Sequence, residues 1–191
     1  MNIVLFGAPG AGKGAQAERI ASVHGIVHLS TGEMLRSAIS SASDLGATAK
    51  EIIDRGELIS DDIIVKIVDA RMDEGDCVDG VILDGFPRTV AQAMALDEML
   101  ADKGRTLDHV IEIVVDEIAL FARIENRASE RRRTGTARSD DSAEILRRRL
   151  TVYHQNSAPV LPYYKEKGLL RSVDGMASIE DVATQIDNLL G

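Results

Sequence analysis

The sequence predicts a three-layer α/β fold in which a five-stranded parallel sheet lies between layers of helices. The first observation is a series of short apolar runs, typical of strands buried on both faces, that alternate with segments of helical periodicity. The second is a glycine-rich turn that follows the first apolar run directly and leads into a helix. Strands that alternate with helices form parallel sheets with right-handed crossovers, so we expect one α/β domain.

The amino-terminal third of the chain contains two of the predicted strands. Residues 3–6 are a continuous apolar run ended by a glycine, and residues 27–29 form a weaker run. A helix of about 12–23 separates them, because apolar residues recur there on one helical face. Ser30 and Thr31 are followed by Gly32 and the acidic Glu33, which is a helix-start signal. The helical pattern then continues over about 33–40 and 44–55.

The rest of the chain repeats this alternation, with predicted strands at 81–83, 109–115 and 169–173. Helical periodicity joins and follows these strands over about 60–74, 89–102, 117–126, 141–167 and 178–190. Pro159 and Pro162 predict a break or kink in the helix over 141–167, since proline lacks an amide hydrogen. Residues 127–138 (RASERRRTGTAR) show no apolar period and are predicted to form a loop.

The composition limits the classes of function. A chain of 191 residues with 45% apolar content suits one globular domain. Its net charge of −9 disfavours a general nucleic-acid-binding or membrane-surface protein, because such proteins are usually basic. Cys77 is the only cysteine, which excludes an intrachain disulfide and a multi-cysteine zinc site. No apolar run approaches the length of a membrane span, and no signal peptide opens the chain, so we expect a cytoplasmic protein.

The turn after the first strand has the pattern of a phosphate-binding loop. It reads GAPGAGKGAQ over residues 7–16. Its glycines leave the backbone N–H groups free to converge on phosphate oxygens, and Lys13 adds a charge for the β- and γ-phosphates. Such loops normally place Ser or Thr after the lysine to contact Mg²⁺, whereas this chain has Gly14 and Ala15. We therefore predict phosphate binding in which another group replaces the missing hydroxyl.

A second constellation follows the strand at 81–83. Asp84 ends this strand, and in a chain with a phosphate-binding loop such a carboxylate contacts Mg²⁺, often through water. The next four residues are Gly-Phe-Pro-Arg, which place Arg88 at the carboxyl edge of the sheet. Ligands bind at this edge in open α/β folds. The sequence thus predicts that the glycine-rich loop and the stretch 84–88 belong to one nucleotide site.

The chain resembles the adenylate kinases, within the nucleoside monophosphate kinase family. The resemblance covers nearly the whole chain through motifs in family order, which are GAPGAGKGAQ, STGEMLR (30–36), GELI (56–59), LDGFPRTVAQA (83–93), RSDDSAEILRRRL (138–150) and APVLPYY (158–164). It implies a P-loop NTPase-type fold with a core of residues 1–29, 60–125 and 139–191. It also implies a helical NMP-binding subdomain at 30–59 and a short lid at 126–138.

The resemblance further implies the activity, which is a reversible, Mg²⁺-dependent transfer of the terminal phosphoryl group of ATP to AMP, giving two ADP. This reaction serves adenine nucleotide homeostasis and salvage. A short lid and the lack of cysteine within it imply that no zinc is bound. Short members of the family are commonly monomeric, so we expect a monomer with no nucleic-acid or membrane partner.

The resemblance assigns site residues by position in this sequence. The catalytic residues would be Lys13, Arg88, Arg127, Arg138 and Arg149. ATP would contact Gly10, Ala11, Gly12, Lys13, Gly14, Ala15, Arg127 and Ala177. AMP would contact Thr31, Arg36, Glu57, Leu58, Ile59, Gly85, Phe86, Pro87, Arg88, Gln92, Arg138 and Arg149, with Gln92 reading the adenine edge. Asp84 would hold Mg²⁺ through water. Arg147 and Arg148 are expected to be solvated.

Several positions depart from the family pattern, of which Glu33, where an Asp is common, is a mild change. Ala15 stands where the family usually has Thr or Ser touching the phosphates of ATP, so we expect a working loop with weakened nucleotide affinity. Ala177 stands where glycine is typical beside the adenine. The run 131–133 adds three arginines to the lid, either as a solvated loop or as attraction for ATP or another polyanion.

Other functions remain open at this point. The same fold could serve UMP/CMP or GMP, although Gln92 and Thr31 argue for AMP. A nucleotide-dependent switch would show an N-K-x-D motif and a hydroxyl after the P-loop lysine, and the sequence has neither. Binding of RNA or DNA by the arginine-rich loop conflicts with the net charge of −9.

Overall fold

The protein forms one parallel sheet of five strands. The computed structural model describes residues 1–40, 60–116, 118–122, 126, 133 and 143–191. The strands are β1 (Asn2–Phe6), β2 (Val27–Ser30), β3 (Val81–Asp84), β4 (His109–Val114) and β5 (Leu170–Asp174). Their order across the sheet is β2-β3-β1-β4-β5, and every pairing is parallel. The predicted α/β class and the five-stranded parallel sheet are confirmed.

Seven α-helices in the described ranges connect or follow these strands. They are α1 (Lys13–His24), α2 (Thr31–Ser40), α3 (Asp61–Met72), α4 (Val90–Asp102), α5 (Ala143–Val152), α6 (Val160–Glu166) and α7 (Ile179–Leu190). Residues 118–122 are also helical. A short 3₁₀ turn (Gly75–Cys77) precedes β3, and a π-helical turn (Tyr153–Ser157) lies between α5 and α6. No helix in these ranges has the length and apolar character that crossing a bilayer requires.

The sheet separates two apolar cores, which gives the fold its three layers. Successive side chains of a strand point to opposite faces, so β1 contributes to both cores. Val4 and Phe6 pack with residues of α3, α4 and α6. Ile3 and Leu5 pack with residues of α1 and α7. Both faces are therefore buried, which is why the strands appear in the sequence as continuous apolar runs.

The local sequence explains where several helices begin. Ser178 caps α7, because its side chain accepts a hydrogen bond from the Asp181 N–H. Ser60 precedes α3 as predicted, but its side chain makes no capping hydrogen bond. The predicted helix over 141–167 is interrupted by the π-helical turn, whose next residues include Pro159 as the N-cap of α6. Proline has no N–H to continue the ladder, so the helix restarts there.

One loop prediction was wrong at the position that can be compared. Residue 133, within the predicted loop 127–138, is helical. Arginine is a good helix former, so Arg133 adopts helical backbone although its neighbours in the sequence show no apolar period. The rest of that loop and the predicted helix over 44–55 lie outside the described residues. The division into core, NMP-binding subdomain and lid remains a prediction.

Candidate nucleotide site at the carboxyl edge of the sheet

The glycine-rich turn lies at the centre of the sheet, where β1 runs between β3 and β4. Gly10 and Gly12 have φ angles of 89° and 95°, a region that glycine adopts without steric cost. A Cβ at Gly7 would lie 2.8 Å from the carbonyl oxygen of Ile113, so the turn also packs too closely for a side chain there. The sequence therefore folds this turn tightly against the sheet, with the start of α1 directly after it.

The amino terminus of α1 provides the polar groups of this turn. Gly12 is its N-cap residue and has no side chain to cover the first-turn N–H groups. Those groups and the helix dipole together favour an anion. Lys13 begins the helix, and its Nζ donates hydrogen bonds to the carbonyl oxygens of Gly7 (2.7 Å) and Ala8 (3.1 Å). The lysine thus lies over the loop, where its charge is available to a phosphate.

Asp84 lies beside this loop at the end of β3. Its backbone is in register with Leu5 of β1 and Ser30 of β2, so it lies between these two strands at the carboxyl edge of the sheet. Burial raises the pKa of Asp84, but His28, Lys13 and Arg88 more than offset it, and the pKa lies below its ordinary value. His28 Nε2 is 3.7 Å from Asp84 Oδ2, which is beyond the usual hydrogen-bond distance. The carboxylate is therefore held ionised.

The position of Asp84 also bears on the hydroxyl that the loop lacks. A Cβ at Gly14 would lie 3.7 Å from Asp84 Oδ2, which is an ordinary van der Waals distance. A serine side chain at position 14 would therefore fit beside the carboxylate. Glycine is not required there by crowding, and an acidic oxygen already occupies the neighbourhood that the usual hydroxyl would enter.

The turn after β3 holds Arg88 over the same edge. Arg88 Nε donates to the carbonyl oxygen of Gly85 (2.7 Å), and Thr31 Oγ1 donates to the same oxygen (3.0 Å). Burial lowers the pKa of Arg88 to about 10, and the nearby positive charges of Arg149 and Arg36 contribute to the shift. Three guanidinium groups that repel one another form a site to which an anion is attracted.

One cleft joins these parts of the edge. Its volume is about 460 Å³, and it runs from the glycine-rich turn to the arginines without a break. Its lining residues are Pro9, Gly10, Gly12, Lys13, Gly14, Ala15, Glu18, His28, Ser30, Gly32, Glu33, Arg36, Asp84, Gly85, Arg88 and Arg149. The structure therefore brings together the phosphate-binding loop, the acidic residue and three of the predicted arginines.

Other predicted site residues lie near this cleft in different ways. Phe86 is 1% exposed and packs in the core, so only its backbone is available to a ligand. Pro87 lines a smaller adjoining cavity of about 60 Å³. Ala11 is buried in the core on the α1 side of the sheet, and Ala177 packs against that core. The turn after β5 therefore lies on the same side of the sheet as α1. Ala15 is exposed on the cleft.

Gln92 is 2% exposed and is bound to protein groups on both sides of its amide. Its Oε1 accepts from the Arg88 N–H (2.7 Å), and its Nε2 donates to Asp61 Oδ1 (2.7 Å). The second oxygen of Asp61 accepts from Thr89 Oγ1 (2.9 Å). Sequence reasoning missed the contact of Asp61 with Gln92. In the sequence, Asp61 is one of two acidic residues at the start of a predicted helix, and no local pattern connects it to Gln92.

His28 was the other site residue that sequence reasoning missed, because an isolated histidine is more often structural. Five predicted residues cannot be compared, since Glu57, Leu58, Ile59, Arg127 and Arg138 lie outside the described residues. Arg147 and Arg148 are exposed, as expected. Arg148 pairs with Glu144 at 2.7 Å, and the Arg147 guanidinium lies 5.6 Å from the ring centre of Phe121.

Comparison with known proteins agrees with this geometry. The sequence model of the family described as adenylate kinase matches residues 5–169. An adenylate kinase of Parvibaculum lavamentivorans is 54% identical over 191 residues, covering 100% of this chain and 92% of the relative. The adenylate kinases of Xanthobacter autotrophicus and Rhizobium meliloti are 51% and 49% identical to this chain. Both alignments span this whole chain, and they span 98% and 100% of the two relatives. With the loop, acid and arginines in one cleft, the chain belongs to the adenylate kinase family.

Proposed function

We propose that the protein transfers the terminal phosphoryl group of ATP to AMP, reversibly and giving two ADP, in adenine nucleotide homeostasis and salvage. The observation that carries this proposal is the continuous cleft of about 460 Å³ between the phosphate-binding loop and the arginines. A hydrolase or a switch needs one nucleotide site. A cleft with a second cationic site opposite the loop suits two phosphorylated substrates that meet end to end.

ATP would bind at the loop end of the cleft. The backbone from Gly10 to Ala15 would hold its phosphates through N–H groups at the start of α1, with Lys13 leaving its carbonyl partners for the phosphate oxygens. The adenine would lie near Ala177 in the turn after β5. Val114 and Met176 lie on segments joined by the hydrogen bond from the Gly175 N–H to the Val114 oxygen (2.8 Å), and both are about half exposed. They offer an apolar surface to a base.

AMP would bind at the arginine end. Arg36 and Arg88 would hold its phosphate, because planar guanidinium groups match oxyanions with paired hydrogen bonds. Thr31 and Gly85 would position Arg88 through the carbonyl oxygen that they share with it. The backbone of Glu57, Leu58 and Ile59 and the Gln92 amide would contact the nucleoside. The turn Gly85–Phe86–Pro87 would close this side through its backbone.

The transfer itself needs positioning and charge neutralisation rather than covalent chemistry. The attacking AMP oxygen is already ionised, so no general base is required. Charge that develops on the transferring group would be neutralised by Lys13, Arg88, Arg127, Arg138 and Arg149. Water is the competing acceptor, so the segments 30–59 and 126–138 would close over the substrates and exclude it.

Mg²⁺ fits this site through Asp84. The carboxylate is held ionised next to the loop, and it is a hard oxygen ligand of the type that Mg²⁺ prefers. In the described ranges no group of three His, Cys, Asp or Glu side chains could surround an ion. A single carboxylate suits an ion that keeps several waters and is held mainly by substrate phosphates. When bound, Mg²⁺ would supply positive charge to the phosphate oxygens, and Asp84 would orient its waters.

The test is a coupled assay with ATP and each of AMP, CMP, UMP and GMP. We expect turnover with AMP and little with the others, and Arg88→Ala should lower kcat by about 100-fold or more because the loss is in transition-state stabilisation. Arg148→Ala is the matched control, since Arg148 is exposed and pairs with Glu144. Turnover with UMP or CMP but none with AMP, or a fully active Arg88→Ala enzyme, would overturn the proposal.

A monomeric state, a cytoplasmic location and the absence of nucleic-acid and membrane partners are parts of the same proposal. Size-exclusion chromatography tests the first and cell fractionation the second. Salt-dependent binding of an oligonucleotide would instead favour a polyanion site at Arg131–Arg133.

A further inference from the structure

A closed set of hydrogen bonds surrounds the Gln92 side chain. Asp61, the first residue of α3, accepts from Gln92 Nε2 with one carboxylate oxygen and from Thr89 Oγ1 with the other. Thr89 Oγ1 in turn accepts from the Gln92 backbone N–H (3.1 Å). On the opposite side, the backbone N–H of Arg88 donates to Gln92 Oε1. Asp61 thus links the start of α3 to the residue placed at the base of AMP.

These bonds leave the Gln92 amide only one orientation. An aspartate carboxylate at neutral pH accepts hydrogen bonds and cannot donate them. A backbone N–H donates and cannot accept. Turning the amide over would place its oxygen against the carboxylate and its NH₂ against the Arg88 N–H, which would remove both hydrogen bonds and add repulsion. The carbonyl therefore faces Arg88, and the NH₂ faces Asp61.

The orientation matters because the amide has hydrogen-bonding capacity left over. Within the described residues, these bonds leave one hydrogen on Nε2 and one lone pair on Oε1. A 6-aminopurine presents an acceptor at N1 and a donor at N6, whereas a 6-oxopurine presents a donor at N1 and an acceptor at O6. With the sugar phosphate held by Arg36 and Arg88, the two base atoms meet the amide in a fixed order. An amide that could turn over would accept either base.

We infer that Asp61 is a specificity-determining residue, which selects 6-amino over 6-oxo purine monophosphates by fixing the orientation of the Gln92 amide. The inference rests on the proposed function and adds the residue that enforces its choice of base. Gln92 is 2% exposed, so a base contacts it only after the surrounding side chains move. The hydrogen bond between Gln92 and Asp61 keeps the amide oriented during that movement, because it joins two helices and does not depend on the ligand.

Asp61 also has a structural role, because an acidic residue in the first turn of a helix stabilises it. The test must separate the two roles. It compares AMP with inosine monophosphate (IMP), which differs at N1 and position 6 and lacks the additional amino group of GMP. A structural defect lowers kcat/KM for both substrates by the same factor, whereas loss of orientation changes their ratio.

The experiment measures kcat/KM for AMP and IMP at saturating ATP in the wild type and in Asp61→Asn. Asparagine keeps the shape but can donate as well as accept, so of the two groups that oppose the turned-over amide only the Arg88 N–H remains. We expect the wild type to prefer AMP by about 100-fold or more, and the variant to lower that ratio by about 10-fold or more, mainly through KM. The KM for ATP should stay within about twofold, since no ATP-binding group is changed.

Two further variants complete the test. Asp69→Asn makes the same charge change on the same helix, where Asp69 pairs with Lys103 at 2.9 Å, and should leave the ratio unchanged. Asp61→Ala removes any partner for Gln92 Nε2 and should lower the ratio as Asp61→Asn does, which guards against a folding defect of one variant. An unchanged ratio in both Asp61 variants overturns the inference, as does a wild type that accepts IMP as well as AMP. A wild type without AMP turnover would instead overturn the proposed function.

Discussion

The substitution Gly85→Ala should lower activity by more than its effect on stability can explain. Its φ angle is +83°, and a Cβ built there would lie 2.8 Å from both Arg88 Nη2 and Thr31 Oγ1. Contacts under 3.0 Å cannot persist, so Gly85→Ala must move one or both side chains. Both contacted atoms are ends of side chains that can rotate away, so the clash itself costs little folding energy. The main effect is that the Arg88 guanidinium moves away from its position at the cleft.

The two effects have different magnitudes. A non-glycine residue at positive φ costs about 1–2 kcal/mol, which in a protein of this size lowers Tm by about 2–8 °C. Hydrogen bonds to a charged group contribute about 1.5–3 kcal/mol each. Displacing Arg88 from one phosphate interaction should therefore lower kcat/KM for AMP by roughly 10- to 150-fold. The loss of activity should exceed what a small loss of stability explains.

Gly104→Ala is the matched control. Gly104 has a φ of +65°, and a Cβ there would meet no described heavy atom within 4 Å apart from its chain neighbours. It carries a similar backbone strain without displacing any side chain. Thermal unfolding followed by circular dichroism should show comparable Tm losses in the two variants, whereas only Gly85→Ala should lose activity. Equal kcat/KM values for AMP in both variants would refute the placement of Arg88 at the AMP phosphate.

Two further predictions concern the loop and the surface. Ala15→Thr should lower the KM for ATP by about 2- to 10-fold, since it restores roughly one hydrogen bond on an exposed cleft residue, and Ala15→Val is its control without the hydroxyl. An unchanged KM in the threonine variant would show that the loop does not lack this hydroxyl. Asp76 pairs with Arg71 through two 2.7 Å bonds, and the Arg71 side chain lowers the pKa of Asp76 to about 2. Because the folded pKa lies below the ordinary 3.8, the pair stabilises fully above about pH 4 and loses its effect as the pH falls to about 2. The Tm difference between the wild type and Asp76→Asn should therefore shrink over that interval, and a constant difference would contradict the linkage.

Local patterns were sufficient to predict the strands, the glycine-rich turn and the place of Arg88 at the edge of the sheet. Each central strand is buried on both faces and so must be apolar throughout, which leaves a signal in the sequence. The glycine-rich turn needs Gly12 for its backbone and Lys13 for its charge, and both requirements act over a few neighbouring residues. Arg88 follows a strand end within four residues, so its place at the edge was predictable once that strand was recognised.

Only the tertiary structure decided which distant residues meet. The strand order β2-β3-β1-β4-β5 depends on how the crossovers pack, and it places His28 of β2 beside Asp84 of β3. The bond between Asp61 and Gln92 joins residues 31 positions apart on different helices. Periodicity records which face of an element is buried, but not which polar groups lie opposite it. The sequence alone therefore determined the sheet and the glycine-rich turn, whereas the packing of strands and helices determined the partners of Asp84 and of the Gln92 amide.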